Sequence, residues 1–196
     1  MTWKDITIDK YLQLYAIQKV GDVIDREVQM LSILENVPEK EIEKLKVSEI
    51  VELMKKFEFL KTLPSEKPIT ISFRCGDYRL HPCLLTSEMT AAQFIDFSNV
   101  CKEIKSDDLP YRMADIIACM CKVRRVTAAF PFIKYEYNGY QKISKAIHKE
   151  MSIADAYPLF VFFCNVLNNL QPAMKNYLEQ KVKKEMKAVK KILQEA

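Results

Sequence analysis

"ITISFRCGDYRLHPCLL", residues 69–85, is the stretch in which the pattern of the chain changes from helical to extended. Its first half alternates apolar with polar residues, the apolar positions being Ile69, Ile71 and Phe73. This alternation is typical of a strand with one buried face, and Gly76-Asp77 in the middle indicates a tight turn. We therefore predict one β-hairpin at about residues 69–85. Because proline has no backbone N–H for a ladder, Pro82 predicts that the second strand lies at a sheet edge.

The residues before this hairpin have helical periodicity. Thr7 is the predicted cap of a first helix, and Gly21-Asp22 separates that helix from a second one. Ser48 is the predicted cap of a further helix. The broad apolar face of that helix comprises Ile50, Val51, Leu53, Met54, Phe57 and Leu60. With only three glycines in 196 residues, the composition also favours helices over a turn-rich β fold.

After the hairpin, "TAAQFIDFSNV", residues 90–100, has the pattern of a helix start. Thr90 and Gln93 form a T-x-x-Q capping box, in which the side chains satisfy free backbone donors. Asp96 lies in the early turns, where the helix dipole favours negative charge. The sequence places no second carboxylate or histidine to share a proton with Asp96, so we interpret it as structural rather than catalytic.

Residues 109–123, "LPYRMADIIACMCKV", predict one more helix, and residues 124–140 predict an irregular connection. That connection places Arg124 and Arg125 near Tyr135, Tyr137 and Tyr140. Arginines and aromatic rings together are one pattern of a nucleic-acid surface. The interpretation that we favour is a loop anchored by its aromatic side chains.

The C-terminal part begins with a second capping box, formed by Ser152 and Asp155, and a largely apolar run that is too short to span a bilayer. From Pro172 onward we predict a long basic amphipathic helix that binds a partner. Its apolar stripe, here called the C-terminal seam, comprises Leu178, Val182, Met186, Val189 and Leu193. Candidate contacts to a polyanion are Lys183, Lys184, Lys187, Lys190 and Lys191.

Charge and cysteine usage limit the chemistry. The net charge of +4 comes entirely from residues 173–196, and a solvated face remains an alternative to an acidic partner or a nucleic acid. The first residues lack a signal-peptide pattern, so we expect a cytosolic protein with reduced thiols. A Cys75, His81 and Cys83 metal site is the alternative to small buried cysteines, which we favour. Cys119 and Cys121, spaced C-x-C on one predicted helix, chelate poorly. We expect no catalytic residue, cofactor or metal.

Several segments resemble a family of small proteins encoded among the virion-assembly genes of tailed phages of gut Bacteroidales, described as tail-assembly-chaperone-like. They are "WKDITIDKYLQL", "VQMLSILENVPEKEIEKL", "FEFL", the hairpin, "TAAQFIDF" and "MSIADAYPLFVFF". The resemblance covers most of the chain up to about Phe163. The lysine-rich C-terminal helix lies outside it.

The resemblance implies a non-enzymatic morphogenesis or structural role through protein–protein interaction, as a tail-assembly chaperone or as a small head-tail or tail subunit. The expected partners are other assembly or virion proteins, the chain is expected to form oligomers, and the expected location is the host cytoplasm during assembly or the virion itself. The alternative is a nucleic-acid-binding protein that uses the lysine-rich C-terminal helix. The predicted organisation is a mainly α domain over residues 1–171 with one inserted hairpin, followed by the helix at 172–196.

Overall fold

The computed structural model describes residues 1–64, 72–102, 108–125, 137 and 139–166. Within these residues the fold is mainly α, as predicted, with a small three-stranded antiparallel sheet. The chain divides into two units, Met1–Phe160 and Val161–Ala196. The predicted domain boundary after residue 171 and the C-terminal helix with its seam and lysines lie outside the described residues, so they stay predictions.

The N-terminal part consists of α1 (Ile8–Ile17), α2 (Val23–Glu35), α3 (Glu39–Ile42), α4 (Val47–Lys55) and a 3-10 turn at Glu58–Lys61. Thr7 caps α1 as predicted, because its hydroxyl accepts a hydrogen bond from the Lys10 N–H at 3.4 Å. Asp22 caps α2 by accepting from two backbone N–H groups at 2.8 and 3.0 Å. Helix α2 packs against α1 and buries Leu31 and Leu34.

Helix α4 differs from the prediction in its start and in its burial. The prediction that Ser48 is the cap is wrong: the helix begins at Val47, and the Glu49 carboxylate accepts from the Lys46 N–H at 2.7 Å. That carboxylate already satisfies a free donor of the first turn, so the Ser48 hydroxyl is not needed for it. No residue of α4 itself is buried, although Phe57 just after it is.

The sheet contains β1 (Phe73–Cys75), β2 (Tyr78–Pro82) and β3 (Cys121–Arg125), in the order β1-β2-β3. The predicted hairpin is present, with Gly76-Asp77 as its two-residue loop between the paired Cys75 and Tyr78. Gly76 has a φ of +55°, in the left-handed region that glycine adopts at little cost, and its N–H donates to the Glu150 carboxylate. Ile69 and Ile71 lie outside the described residues.

Strand β3 overturns three predictions about this region. The helix predicted through residues 109–123 ends at Cys119, and residues 121–125 pair with β2 instead of continuing the helix or entering a loop. Cys119 and Cys121 are therefore on a helix and a strand, not on one helix. Strand β2 is consequently the central strand, and the prediction that Pro82 marks a sheet edge is wrong.

The hydrogen-bond pattern explains why a central strand accepts Pro82. Antiparallel ladders alternate between pairs that exchange hydrogen bonds and pairs that do not. Just beyond the end of β2, the Cys83 N–H donates to the Met120 carbonyl at 2.8 Å. The neighbouring Pro82–Cys121 pair is then a non-bonded one, so the Pro82 nitrogen faces away from β3. On its other side, the described pairing with β1 ends at Leu80.

The remaining helices are α5 (Ala91–Lys102), α6 (Met113–Cys119), α7 (Gln141–Glu150) and α8 (residues 153–166), with 3-10 turns at Thr86–Glu88 and Pro110–Arg112. Helix α6 packs against both α5 and α7 and forms the centre of the core. Its buried residues are Met113, Ala114, Ile116, Ile117, Ala118 and Cys119. An isolated bridge between Thr7 and Ser152 joins the start of α1 to the start of α8.

The predicted capping box of Thr90 and Gln93 is complete, and that of Ser152 and Asp155 is present in the half that caps the Asp155 N–H. The Thr90 N–H donates to the Gln93 side-chain oxygen at 3.0 Å, and the Gln93 N–H donates back to the Thr90 hydroxyl at 3.2 Å. At the start of α8, the Asp155 N–H donates to the Ser152 hydroxyl at 3.2 Å, and that hydroxyl donates to the Asp155 carboxylate at 2.8 Å. These local pairs fix where α5 and α8 begin.

Candidate functional site

An apolar groove lies between α1, α2, α4 and the turn that follows α4. It consists of two cavities of about 320 and 340 Å³ that share Met30, Met54 and Leu60 in their walls. Trp3, Tyr11 and Tyr15 line the first cavity, and Val51 and Phe57 line the second. We call this surface the methionine groove, defined by Trp3, Tyr11, Tyr15, Met30, Val51, Met54 and Leu60. Its size is within the range of small-ligand and peptide-side-chain pockets.

Aromatic rings form one wall of the groove. The Trp3 ring contacts Phe59 edge to face at a centroid distance of 5.2 Å and Tyr11 at 6.3 Å. Tyr11 stacks on Tyr15 at 6.5 Å, and Tyr15 contacts Tyr111 at 5.9 Å. Each contact lies in the range in which aromatic pairs stabilise each other beyond simple burial. The wall is therefore a chain of mutually supporting rings.

In this wall a hydrogen bond fixes the orientation of the Trp3 ring, and burial keeps the Tyr11 phenol protonated. The Trp3 indole N–H donates to the Thr62 carbonyl at 3.1 Å, which fixes the ring without using a side-chain partner. Burial raises the pKa of the Tyr11 phenol, and the nearby Tyr157 and Tyr15 hydroxyls raise it further. Tyr11 therefore stays neutral at physiological pH. A neutral amphipathic ring offers apolar contact area together with one hydroxyl for orientation.

The opposite wall is an apolar side of α4 that the described residues cover only in part. Val51 lines the groove with half of its side chain exposed, and Met54 beside it is only partly buried. Val47, one turn earlier on α4, is 77% exposed and does not line the groove. Methionine side chains are flexible and polarisable, so they adapt to differently shaped apolar partners. The groove thus combines one rigid aromatic wall with one adaptable wall.

Charged residues of both signs surround this apolar floor. Arg26 and Glu27 lie at the end of the aromatic cavity, and Lys55, Glu58 and Lys61 border the other. Lys61 pairs with Glu58 at 3.5 Å, and both side chains are largely exposed. An apolar centre inside a polar rim is the usual anatomy of a protein–protein contact. It lacks the single-sign charge of a surface for nucleic acid.

A second cluster of hydrogen-bonded side chains surrounds Asp96. The Tyr137 hydroxyl donates to the Asp96 carboxylate at 2.7 Å, and the Cys119 thiol is also within hydrogen-bonding range of Tyr137. Burial raises the pKa of Tyr137, and its hydrogen bond to Asp96 raises it further, so the phenol remains a donor. Asp96 therefore anchors Tyr137, which agrees with the interpretation of an aromatic-anchored connection. Tyr135 lies outside the described residues, and Arg124 and Arg125 belong to β3.

The other carboxylate of this region is also engaged in the packing of helices. Asp115 on α6 accepts from the Ser144 hydroxyl of α7 at 2.6 Å and from Arg112 at 3.2 Å. These bonds join neighbouring elements, and Ser144 is only 4% exposed, so its hydroxyl is held within the helix packing. The arrangement stabilises the contact between α6 and α7.

The thiols are buried rather than reactive. Cys75, Cys83, Cys119 and Cys121 are buried, and burial is the largest cause of the raised pKa of each. The pKa of Cys75 rises to about 11, as does that of Cys164. Thiolates are the reactive form of cysteine, so these side chains behave as small apolar residues. Across the described ranges, no three His, Cys, Asp or Glu side chains are grouped closely enough to hold a metal ion.

The sequence analysis placed Met54 and Leu60 on one apolar helix face but did not join them with Tyr11 and Tyr15 into one groove. The signal that could have found it is the recurrence of aromatics at Trp3, Tyr11 and Tyr15 beside an unusually apolar α4. Comparison of the chain with protein-family models, curated proteins and solved structures finds no match. Among the described helices, none has the length and apolar character needed to cross a membrane.

Proposed function

We propose that the chain is a non-enzymatic assembly protein that holds another protein in its methionine groove. The observation that carries this proposal is the groove itself, an apolar floor with a rigid aromatic wall and a rim of mixed charge. Trp and Tyr are among the residue types that dominate binding energy at protein contacts, and methionine is enriched at such contacts. Among the described residues, the Cys121 thiol is buried, and the Asp96 and Asp115 carboxylates accept hydrogen bonds from Tyr137 and Ser144.

The biological setting comes from the resemblance to tail-assembly-chaperone-like phage proteins. In that setting the partner is another virion or tail component, bound in the host cytoplasm during assembly. An assembly chaperone needs an exposed apolar groove to cover the apolar surface of a component that is not yet in place. A head-tail or tail subunit needs the same groove for a permanent neighbour. The two versions differ in whether the protein is present in the finished particle.

The groove is tested with two matched substitutions on one helix. Val51→Glu places a carboxylate on the groove wall, whereas Val47→Glu makes the same change one turn away, outside the groove. Both positions are at least half exposed, so both variants should fold. The variants are compared by co-purification with the proteins encoded beside this chain and by light scattering. Burying an unpaired charge is costly, so Val51→Glu should weaken association at least about tenfold.

Val47→Glu should change the association less than about twofold, since a surface substitution is usually worth under about 0.5 kcal/mol. Equal loss in both variants would show that general charge, not the groove, controls binding. Retention of every partner by Val51→Glu would overturn the proposal. Mass spectrometry of purified particles then separates the two versions, because only a subunit remains in the particle.

A further inference from the structure

The exposed face of the three-stranded sheet carries positively charged side chains. The register pairs Phe73 with Leu80 and Leu80 with Val123, and Leu80 and Val123 are buried. Because neighbouring residues of a strand point to opposite faces, Arg74 and Arg79 lie on the other face, and both are exposed. The chain thus has a buried apolar sheet face and a basic outer one.

Strand pairing concentrates this charge. Arg74 pairs directly with Arg79, and the register places Arg124 opposite Arg79 on the other side. Lys122, half-buried, precedes that position by two residues and so lies on the outer face too. Neighbouring strands are about 4.8 Å apart, so the two paired arginines are close enough to repel each other. We call Arg74, Arg79 and Lys122 the basic sheet face.

The carboxylates of the described residues do not neutralise these charges. None of the ion pairs formed by the described residues includes Arg74, Arg79 or Lys122. The Arg74 side chain donates to the carbonyl of Gly76 at 3.2 Å, which orients the guanidinium but supplies no charge. The nearby Glu150 carboxylate is engaged by the Gly76 N–H at the hairpin loop. Like charges in register are destabilising, so an anion from outside would stabilise this face.

The residue types on the face select the kind of anion. Arginine presents a planar fork that matches phosphate and carboxylate. The aromatic residues of the first two strands, Phe73 and Tyr78, occupy register positions of the buried face, opposite Leu80 and Cys75. At its described register positions the outer face carries no Phe, Tyr or Trp ring on which a base could stack, and its imidazole, His81 opposite Lys122, is half-buried. Those positions also lack an apolar anchor of the kind that centres a protein contact.

We infer that the basic sheet face binds the phosphate backbone of a nucleic acid without reading its bases. Phosphate contacts alone are sufficient for sequence-independent binding, whereas an acidic protein partner would need apolar anchors as well. This site belongs to other elements than the methionine groove, and its residues differ from the C-terminal lysines that the sequence offered as polyanion contacts. It extends the proposed protein-binding function to a second class of partner.

The test measures fluorescence anisotropy of a labelled mixed-sequence DNA duplex of about 20 base pairs in about 50 to 200 mM salt, the range over which phosphate contacts weaken strongly. Arg74→Glu with Arg79→Glu removes four units of charge and takes the net charge from +4 to zero. The matched control, Lys4→Glu with Lys19→Glu, makes the same change at exposed positions outside the sheet. Thermal melts establish that each variant is folded.

We expect the arginine reversal to lower affinity at least about tenfold and to reduce the salt slope by about two, since each phosphate contact contributes about 0.9 to that slope. The lysine control should lower affinity less than about threefold through long-range charge alone. If the arginine reversal does not fold, Arg74→Gln with Arg79→Gln should still reduce the slope by about two. Two duplexes of different sequence should bind equally.

Four results would overturn the inference. Wild-type protein could fail to bind DNA, or the arginine and control reversals could lose affinity equally. Lys183→Glu with Lys187→Glu could abolish binding while the arginine reversal leaves it intact, which would assign the site to the C-terminal lysines. Finally, polyglutamate could compete as well as unlabelled DNA of equal charge, which would indicate an acidic protein as the partner.

Discussion

Gln93→Glu should destabilise this protein far more than its small change in shape suggests. The Gln93 side chain is only 1% exposed and joins three backbone groups. Its amide nitrogen donates to the carbonyls of Cys119 at 3.2 Å and Cys121 at 3.0 Å, while its oxygen accepts from the Thr90 N–H at 3.0 Å. One amide therefore connects the start of α5 to the junction between α6 and β3.

The Cys121 carbonyl needs this donor because of the ladder geometry. Cys121 and Pro82 form a non-bonded pair, so the carbonyl of Cys121 faces away from β2 at the outer edge of the sheet. Cys121 is fully buried, which keeps water from satisfying the carbonyl. Gln93 covers that edge. Glutamate keeps an oxygen for the Thr90 N–H but has no N–H to donate.

The expected loss of stability follows from the two hydrogen bonds that Gln93→Glu removes. Each buried carbonyl left without its donor costs about 1–3 kcal/mol, so the two together cost about 2–6 kcal/mol. A charge buried against two carbonyl dipoles adds to this cost at neutral pH. Since small domains are stable by only about 5–15 kcal/mol, Gln93→Glu should leave the fold marginal. Thr90→Ala, which removes only the cap, should cost about 1 kcal/mol.

The assay is urea unfolding followed by far-ultraviolet circular dichroism. We expect the loss of stability to increase from Thr90→Ala to Gln93→Met and then to Gln93→Glu. Burial raises the pKa of a carboxyl group, so the folded state of the glutamate variant holds its proton to higher pH than the unfolded state. Its stability should consequently be greater near pH 4 than near pH 7. If Gln93→Glu costs no more than Thr90→Ala, the two amide hydrogen bonds do not support the junction.

Three further measurements address other parts of the molecule. Asp96→Asn should lower the free energy of unfolding in urea by about 1 kcal/mol, because the Tyr137 hydroxyl exchanges a charged acceptor for a neutral one. A loss above about 3 kcal/mol, or the loss of a specific activity with stability intact, would contradict this. Cys121 should resist thiol reagents at pH 8 until denaturant is added, and one bound zinc per chain under reducing conditions would refute the structural interpretation of the thiols. In the folded state the pKa of the Cys75 thiol is about 11, above its ordinary 9.0. The stability that this thiol contributes below pH 9 should therefore be lost as the pH rises through about 11. Urea unfolding at a series of pH values measures this loss.

The parts of the fold that the sequence predicted are those set by neighbours three residues apart. Thr7 caps α1, Thr90 and Gln93 begin α5, and Ser152 and Asp155 begin α8, all as predicted. In each case the hydroxyl and the backbone donor lie within one turn, so the local pattern contains the whole interaction. The hairpin loop at Gly76-Asp77 was predictable for the same reason.

Strand β3 was not predictable in this way, because its conformation depends on a distant partner. Residues 121–125 directly follow an apolar helix and include no turn residue of their own. They become a strand by pairing with residues 78–82, some forty positions earlier. The second role of Gln93 was missed for a related reason: its nitrogen bonds to Cys119 and Cys121, which the capping pattern does not mention.

The methionine groove shows most clearly what the apolar periodicity of a helix cannot predict. The apolar pattern of α4 predicts which side chains share a face, but not whether that face is covered by the same chain or by another one. Helix α4 has nine residues and buries none of them, although helices this short are marginal in water without tertiary packing. Its anchor within the chain is Phe57, just beyond its end, and this leaves the face of Val51 and Met54 available. A protein partner would complete the packing that α4 lacks, so the case for a binding groove rests on what this short helix leaves uncovered rather than on its pattern.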